Sequence, residues 1–461
     1  MLPNLKLSYY NHFVPIENRQ VFVIYNTFSG SMLELEWDLG TRISKMNSME
    51  IHFLEDEIID RLLQHGMIVD NAFNEFNAIF NSAERNRADI QDSEILFMVI
   101  SPTNSCNMSC PYCFQGDKSI KAGDTKYLSE ENIEHLKAYV NTTIATTKIK
   151  KIAIEWFGGE PLIKSNIIEE FSEYVINLAN KNSILYEASI ITNGVLLNEK
   201  NYDILEKSKV RKIQITIDGN KEMHDSVRYL NNGKGTYQKI LDNLKNIPKH
   251  KFYFILRING DKRVFDKLEG LFEDLEAMEI WPQRNDEIQF DWSPKFFNVT
   301  GFNEEKAFYY TSYEYQKSRE DFAKLKISRY NKWASNNARN SKTLTYALPE
   351  PAKFYCATVE SPYSISLDDG GFIHKCYNTV NDKSKRIQHI SDFDPYGAGT
   401  DYYMNFDKTK VADCSTCKVL PICEENCNMR FVTNAESKIC SSWKYFMNER
   451  ISAIYEKNFA D

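Results

Sequence analysis

The 461-residue chain has no apolar run approaching the ~20 residues that a membrane-spanning helix needs. It has no basic block either: 56 Lys and Arg stand against 64 Asp and Glu, a formal net charge of −8. A nucleic-acid partner therefore has no electrostatic footprint. The opening Met1-Leu-Pro-Asn-Leu-Lys-Leu7 lacks the apolar stretch of a secretory signal. These absences lead to the expectation of a cytoplasmic protein with no membrane and no nucleic-acid partner. Thiols stay reduced in that compartment, so cysteine there points to metal ligation and not to disulfides. Cysteine is itself missing from one long stretch. None lies between Cys113 and Cys356, so the ten fall into three at 106–113 and seven at 356–440. What remains is ordinary for a globular chain of roughly three domains, with 42% hydrophobic and 26% charged residues.

The first group reads Cys106-Asn-Met-Ser-Cys110-Pro-Tyr-Cys113, a C-x3-C-x2-C spacing. Thiolates are soft ligands for iron–sulfur clusters or zinc. Three of them leave one metal corner open, where chemistry can occur. The alternative is a zinc knuckle with a distant fourth ligand. Against it, no His flanks the triplet, and Tyr112 and Phe114 supply an apolar cover.

Alternating residues predict strands at Val21–Tyr25 and Met32–Glu36, joined by the hairpin loop Asn26–Gly30. Leu54, Ile58, Ile59, Leu62 and Leu63 have helical spacing, and Gly66 is placed to end that helix. A short strand Met67–Val69 and a helix from about Asn74 follow, with polar Arg85–Asp92 as the linker. Residues 1–90 thus make a small winged-helix-like α+β domain. From Ile95 to about Asn298 strand-like and helix-like segments alternate, which means parallel strands with crossover helices. Six strands start near Ile95, Lys151, Ala188, Lys212, Phe252 and Ile288, so residues 91–300 are expected to form a partial (β/α)6 TIM-type barrel. Such barrels carry functional residues at the C-terminal strand ends. There lie Gly158-Gly-Glu-Pro161, Thr192-Asn193-Gly194 and Arg257. The two glycines leave room for close approach to the backbone. Arg257 is either a cation facing a ligand carboxylate or one half of an ordinary ion pair.

Residues 301–350 read as a connecting helical segment and 351–461 as a Cys-rich domain. Its cysteines are Cys356, Cys376, Cys414, Cys417, Cys423, Cys427 and Cys440. Asp368-Asp-Gly-Gly371 between two strand-like runs predicts a hairpin that brings Cys376 near Cys356. Cys414-x2-Cys417 alone would also suit a zinc ribbon.

The triplet, with its aromatic residue before the third Cys, resembles the signature of the radical S-adenosylmethionine (radical SAM) superfamily. Gly158–Pro161 is similar to that family's GGEP segment. Asp218-Gly219, His224-Asp225, Arg228 and Gly233–Thr236 also match its pattern, with no catalytic step assigned to them. The resemblance implies a [4Fe–4S] cluster on Cys106, Cys110 and Cys113, its open iron chelated by S-adenosylmethionine. Gly158, Gly159 and Glu160 would meet the amino group of that cofactor, Thr192 and Asn193 its adenosine, and Arg257 its carboxylate. One-electron cleavage would yield a 5′-deoxyadenosyl radical that takes hydrogen from the substrate.

The seven later cysteines resemble the SPASM domain of radical SAM peptide maturases. That likeness implies an outer [4Fe–4S] cluster on Cys414, Cys417, Cys423 and Cys440. The inner one would sit on Cys356, Cys376 and Cys427, making three clusters in all. Two clusters need eight ligands, so the inner one is expected to have an open corner or a ligand other than Cys. The N-terminal run is similar to precursor-peptide recognition domains, which add a leader peptide as a strand. The expectation is a maturase that cross-links a ribosomally made precursor peptide and takes electrons from an external low-potential donor. The bond would be a thioether first, a carbon–carbon bond second. An anaerobic sulfatase maturase is the alternative. In that family an Asp follows the Cys equivalent to Cys376, and here Tyr377 stands there. A non-catalytic iron–sulfur carrier or peptide-binding module is the alternative of another class.

Overall fold

The computed structural model describes residues 4–46, 48–113, 126–295, 308–396, 407–425, 427 and 439–459. Phe114, expected in the apolar cover, lies outside them.

Strands β1 (Leu5–Leu7), β2 (Asn11–Ile16), β3 (Val21–Asn26), β4 (Met32–Glu36) and β5 (Ile68–Asp70) build the N-terminal part. β2, β3 and β4 form one antiparallel sheet, and β1 pairs with β5. The alternation in β3 explains why both faces are used. Ile24 turns to Ile43, Leu62 and the helices Trp37–Lys45 and Asp56–Gln64. Val23 and Tyr25 turn the other way, onto Val419, Ile422 and helix Trp443–Phe459. Gly66, at φ +71°, ends the second helix, and the Met67 N–H donates back to the Leu62 carbonyl at 2.8 Å.

The expected linker Arg85–Asp92 is instead the last turns of a helix, Glu75–Gln91. Asn74 caps it by accepting from the Asn77 N–H at 3.0 Å. The polar residues belong to a face and not to a loop. Ile79 and Ala83 are buried against Ala352, Phe354 and Leu420, while Arg87 pairs with Glu360 (3.5 Å) and Asp407 (3.4 Å).

β6 (Ile95–Ile100), β7 (Lys151–Trp156), β8 (Leu185–Thr192), β9 (Val210–Thr216), β10 (Tyr253–Gly260) and β11 (Ile288–Pro294) run parallel in sequence order. Crossover helices include Glu130–Thr146, capped by Ser129, and Ser165–Lys181. Met98, Ile154, Ile190, Ile213 and Leu256 are buried in the core they share with these helices. This is the partial barrel, with the six strands the alternation predicts. Two more strands extend its sheet. β12 (Ser364–Leu367) joins β6 in parallel, and β13 (Ile373–His374) returns antiparallel to β12. Asp368 closes this hairpin, its carboxylate accepting from the Gly370 and Phe372 N–H groups at 2.9 Å each. Among the described residues no helix is long and apolar enough to cross a membrane.

Candidate functional site

The cysteine loop leaves β6 and is clamped from two sides. On one side the Gly159 N–H donates to the Thr103 carbonyl at 3.0 Å, and the Glu160 N–H to that of Ser105 at 2.9 Å. A Cβ on Gly159 would lie 2.1 Å from the Ser105 oxygen. One on Gly158, where φ is +114°, would lie 2.1 Å from Ser101 Oγ. The close approach that these glycines permit is therefore to the loop bearing Cys106. On the other side, the Asp369 carboxylate accepts from the main-chain N–H and Nδ2 of Asn104, at 2.9 and 3.0 Å.

Glu160 is fully buried and ties three expected site segments together. Oε1 accepts from the Thr192 hydroxyl at 2.7 Å and the Leu162 N–H at 3.1 Å; Oε2 accepts from the Asn193 N–H at 2.8 Å. Burial raises its pKa, while those bonds and Arg228 pull it down. Asn193 Nδ2 in turn donates to Asn107 Oδ1 at 2.7 Å and lies 3.8 Å from Cys106 Sγ.

Tyr112 is more than an apolar cover. Its hydroxyl donates to Asp218 and accepts from Arg228 Nη1, the latter at 2.6 Å. Asp218 also accepts from the Asn259 N–H at 2.8 Å. Arg228 is buried, and its Nε has no hydrogen-bond partner among the described residues. Burial disfavours its charge, but Tyr112, Cys110 and Asp218 outweigh that and raise its pKa. The same cation opposes the burial that pushes the Cys110 thiol up. Arg257 donates to Asp291 (2.8 Å), Ser293 (2.7 Å) and Asn259 (2.9 Å), which commits three of its five N–H groups.

The later thiols form two neighbourhoods. Cys356 and Cys376 pack together against Val359. Burial pushes Cys376 up to about 12, and Cys427 and Cys356 add to it. Burial likewise raises Cys356, with Cys427 adding. In the second group burial raises Cys423, Lys408 opposes and Cys417 adds. Lys408 also senses Cys414. Lys444 stands by Cys440, its Nζ 3.7 Å from the sulfur, and senses Cys417. Among the described residues no three of these side chains are gathered tightly enough to clasp a single ion.

Sequence reasoning missed the polar inner face of the barrel. Glu155 of β7 takes a 3.3 Å hydrogen bond from Ser189 of β8, and burial raises its pKa. Tyr377 packs edge-on to Phe157, ring centroids 5.7 Å apart, beside Val99 and Val380. Burial raises its pKa; Arg257 opposes, Cys376 and Glu155 add. Tyr377 therefore stands between the inner thiols and the barrel. The available signal was the polar residue inside an apolar strand, as in Ile152-Ala-Ile-Glu155-Trp.

Residues 100–275 match the family model described as the radical SAM superfamily. The chain is 24% identical over 258 residues to the radical SAM cyclopropyl synthase TigE of Paramaledivibacter caminithermalis, covering 54% of this chain and 52% of that protein. It thus spans about half the length of that relative. It is 22% identical over 383 residues to a cysteine-type anaerobic sulfatase-maturating enzyme of Clostridium novyi, covering 78% of this chain and 96% of that one. The fold is similar to that of Streptococcus suis SuiB, solved bound to precursor peptide SuiA. The TM-score is 0.50 and the identity 14%, with 93% of this chain and 97% of that chain covered. These likenesses accord with the cysteine loop, the Glu160 network and the barrel ends, and residues 100–275 carry a radical SAM domain.

Proposed function

We propose that this radical SAM enzyme acts on a ribosomally made precursor peptide and installs a cross-link, a thioether before a carbon–carbon bond. The observation that supports this reading is Tyr377, which follows Cys376 and packs on Val99 and Phe157 at the barrel, so that a cluster on Cys356, Cys376 and Cys427 would lie beside the barrel interior. A substrate held in the barrel would have a radical source on one side and an electron acceptor on the other.

The residues suit the implied groups. Cys106, Cys110 and Cys113 are a thiolate set for a [4Fe–4S] cluster with one open iron. Beside Cys110, the buried Arg228 has an Nε without a hydrogen-bond partner among the described residues, and the carboxylate of S-adenosylmethionine would provide one. Together these groups would supply a 5′-deoxyadenosyl radical that removes hydrogen from a carbon. Gly158, Gly159 and Glu160 would hold the cysteine loop against the adenosine side formed by Thr192 and Asn193. Arg257 would keep its place against Asp291 and shape the substrate space. Tyr377 and Phe157 would exclude water from it. Cys356, Cys376 and Cys427 would hold an inner cluster with a corner not filled by Cys, and Cys414, Cys417, Cys423 and Cys440 an outer one. These would pass the surplus electron outward, with a low-potential donor priming the first cluster. Residues 1–90 would bind the leader as a strand added to their sheet, in a cytoplasm that keeps the thiols reduced.

The long match to the sulfatase-maturating enzyme favours a second reading, oxidation of a peptide Cys to formylglycine. Tyr377 argues against it, because it replaces the acid next to the inner Cys. The test is anaerobic incubation of the reconstituted, reduced enzyme with S-adenosylmethionine and the short peptide encoded beside its gene. Formation of 5′-deoxyadenosine with a peptide two hydrogens lighter supports cross-linking. An aldehyde in place of a thiol supports the second reading. No 5′-deoxyadenosine under any condition overturns both.

A further inference from the structure

The turn that carries Cys417 is held by the N-terminal sheet. The Tyr9 hydroxyl donates to the Thr416 carbonyl at 2.7 Å. The Thr27 hydroxyl donates to the Lys418 carbonyl at 2.5 Å. Lys418 Nζ answers by donating to the Asn11 carbonyl at 3.3 Å. Within the turn, the Cys417 N–H donates to the Cys414 carbonyl at 3.0 Å, and its own carbonyl accepts from Leu420 at 3.0 Å. The carbonyls of the residues on either side of Cys417, Thr416 and Lys418, are thus held by residues some four hundred positions earlier in the chain. Thr27 is buried, so its bond is shielded from competing water; Tyr9 is half exposed and contributes less. Tyr10 packs into the same seam, close enough to Cys417 to sense its charge.

We propose that Thr27, helped by Tyr9, is a positioning residue for the outer thiol centre, so that the N-terminal domain aims Cys417 at its cluster. This makes the domain a working part of the electron path as well as a peptide handle. It rests on the reading of Cys414, Cys417, Cys423 and Cys440 as ligands of one cluster. A turn held only from within would let its sulfur swing away from the other three. Two external hydrogen bonds narrow that swing without touching the sulfur.

The test compares the full-length protein with a Thr27→Val, Tyr9→Phe double variant and with Thr27→Ser. In the metal-free chain, iodoacetamide labelling of Cys417 is followed by mass spectrometry, with Cys106 as internal reference. Loss of the two bonds is expected to speed labelling of Cys417 on the order of tenfold and leave Cys106 unchanged. After anaerobic reconstitution the double variant is expected to lose or broaden the outer-centre paramagnetic signal, and Thr27→Ser to behave as wild type. Wild-type labelling in the double variant overturns the proposal, as does faster labelling with an unchanged signal. If the wild type binds no iron on these four cysteines, the ligand reading falls. Labelling at an unchanged rate would then show separately that the turn does not depend on Thr27.

Discussion

The carboxylate of Asp369 receives two hydrogen bonds from Asn104, one from the main-chain N–H at 2.9 Å and one from Nδ2 at 3.0 Å. A turn of the C-terminal hairpin thereby grips the loop that carries Cys106. Bonds to a charged acceptor contribute roughly 1.5–3 kcal/mol each when buried, and these are half-buried. Asp369→Ala is expected to cost about 2 kcal/mol in thermal unfolding. It should also lower iron at the first centre and 5′-deoxyadenosine yield, while the outer-centre spectrum stays as it is.

Gly159→Ala puts a methyl group 2.1 Å from the Ser105 oxygen and 2.5 Å from that of Asn104. Both are backbone atoms, so the loop itself must move. We expect a loss of at least ~2 kcal/mol in stability, with S-adenosylmethionine cleavage abolished. Gly233→Ala serves as a control for space, since no atom of the described residues lies within 4 Å of its added Cβ. Its φ of +80° still carries a smaller backbone cost, on the order of 1 kcal/mol. Circular dichroism melts and a cleavage assay read both.

Arg228 and Arg257 separate two roles for a cation. Arg228→Lys keeps a charge but loses the fork that reaches Tyr112 and the space beside Cys110. Its KM for S-adenosylmethionine is expected to rise by tenfold or more. Arg257→Lys keeps a partner for Asp291 and should leave that KM within about twofold, altering peptide turnover instead. The reverse order would return the carboxylate-binding role to Arg257.

Asp368 gives the hairpin a pH dependence. Burial pushes its carboxyl up, but His374, the Phe372 N–H and Arg386 outweigh this and hold it below the ordinary value. Its contribution to stability is therefore present above the unfolded pKa, ~3.9, and lost as pH falls through the lower folded value. The stability gap between wild type and Asp368→Asn should narrow below about pH 4 in denaturant titrations. A gap constant from pH 7 to 3 would contradict this.

Much of this architecture is legible in the residues, because strand and helix periods are local. The six barrel strands, the Gly66 stop and the Asp368–Gly371 hairpin all lie where spacing and turn chemistry place them. The pairing of Ser364 with Phe97 is not legible, since a parallel partner so far along the chain leaves no mark on either segment. Polarity misled at Arg85–Asp92, where charge belongs to an ion-paired helix face. Gly158 and Gly159 announce that something comes close without saying what. The ring of Tyr112 could be read as cover, but its hydroxyl partners, Asp218 and Arg228, meet only in three dimensions.

The parallel union of β12 with β6 has a consequence during synthesis. When Ile95–Ile100 leaves the ribosome, one flank waits for Lys151–Trp156 and the other for Ser364–Leu367. At ~5–20 residues per second, the second wait lasts on the order of ten seconds to a minute. For that interval a nascent apolar edge stands open to other chains. A ribosome stalled before Ser364 would thus hold out a barrel with a raw flank, and chaperone demand should fall sharply once that short segment emerges.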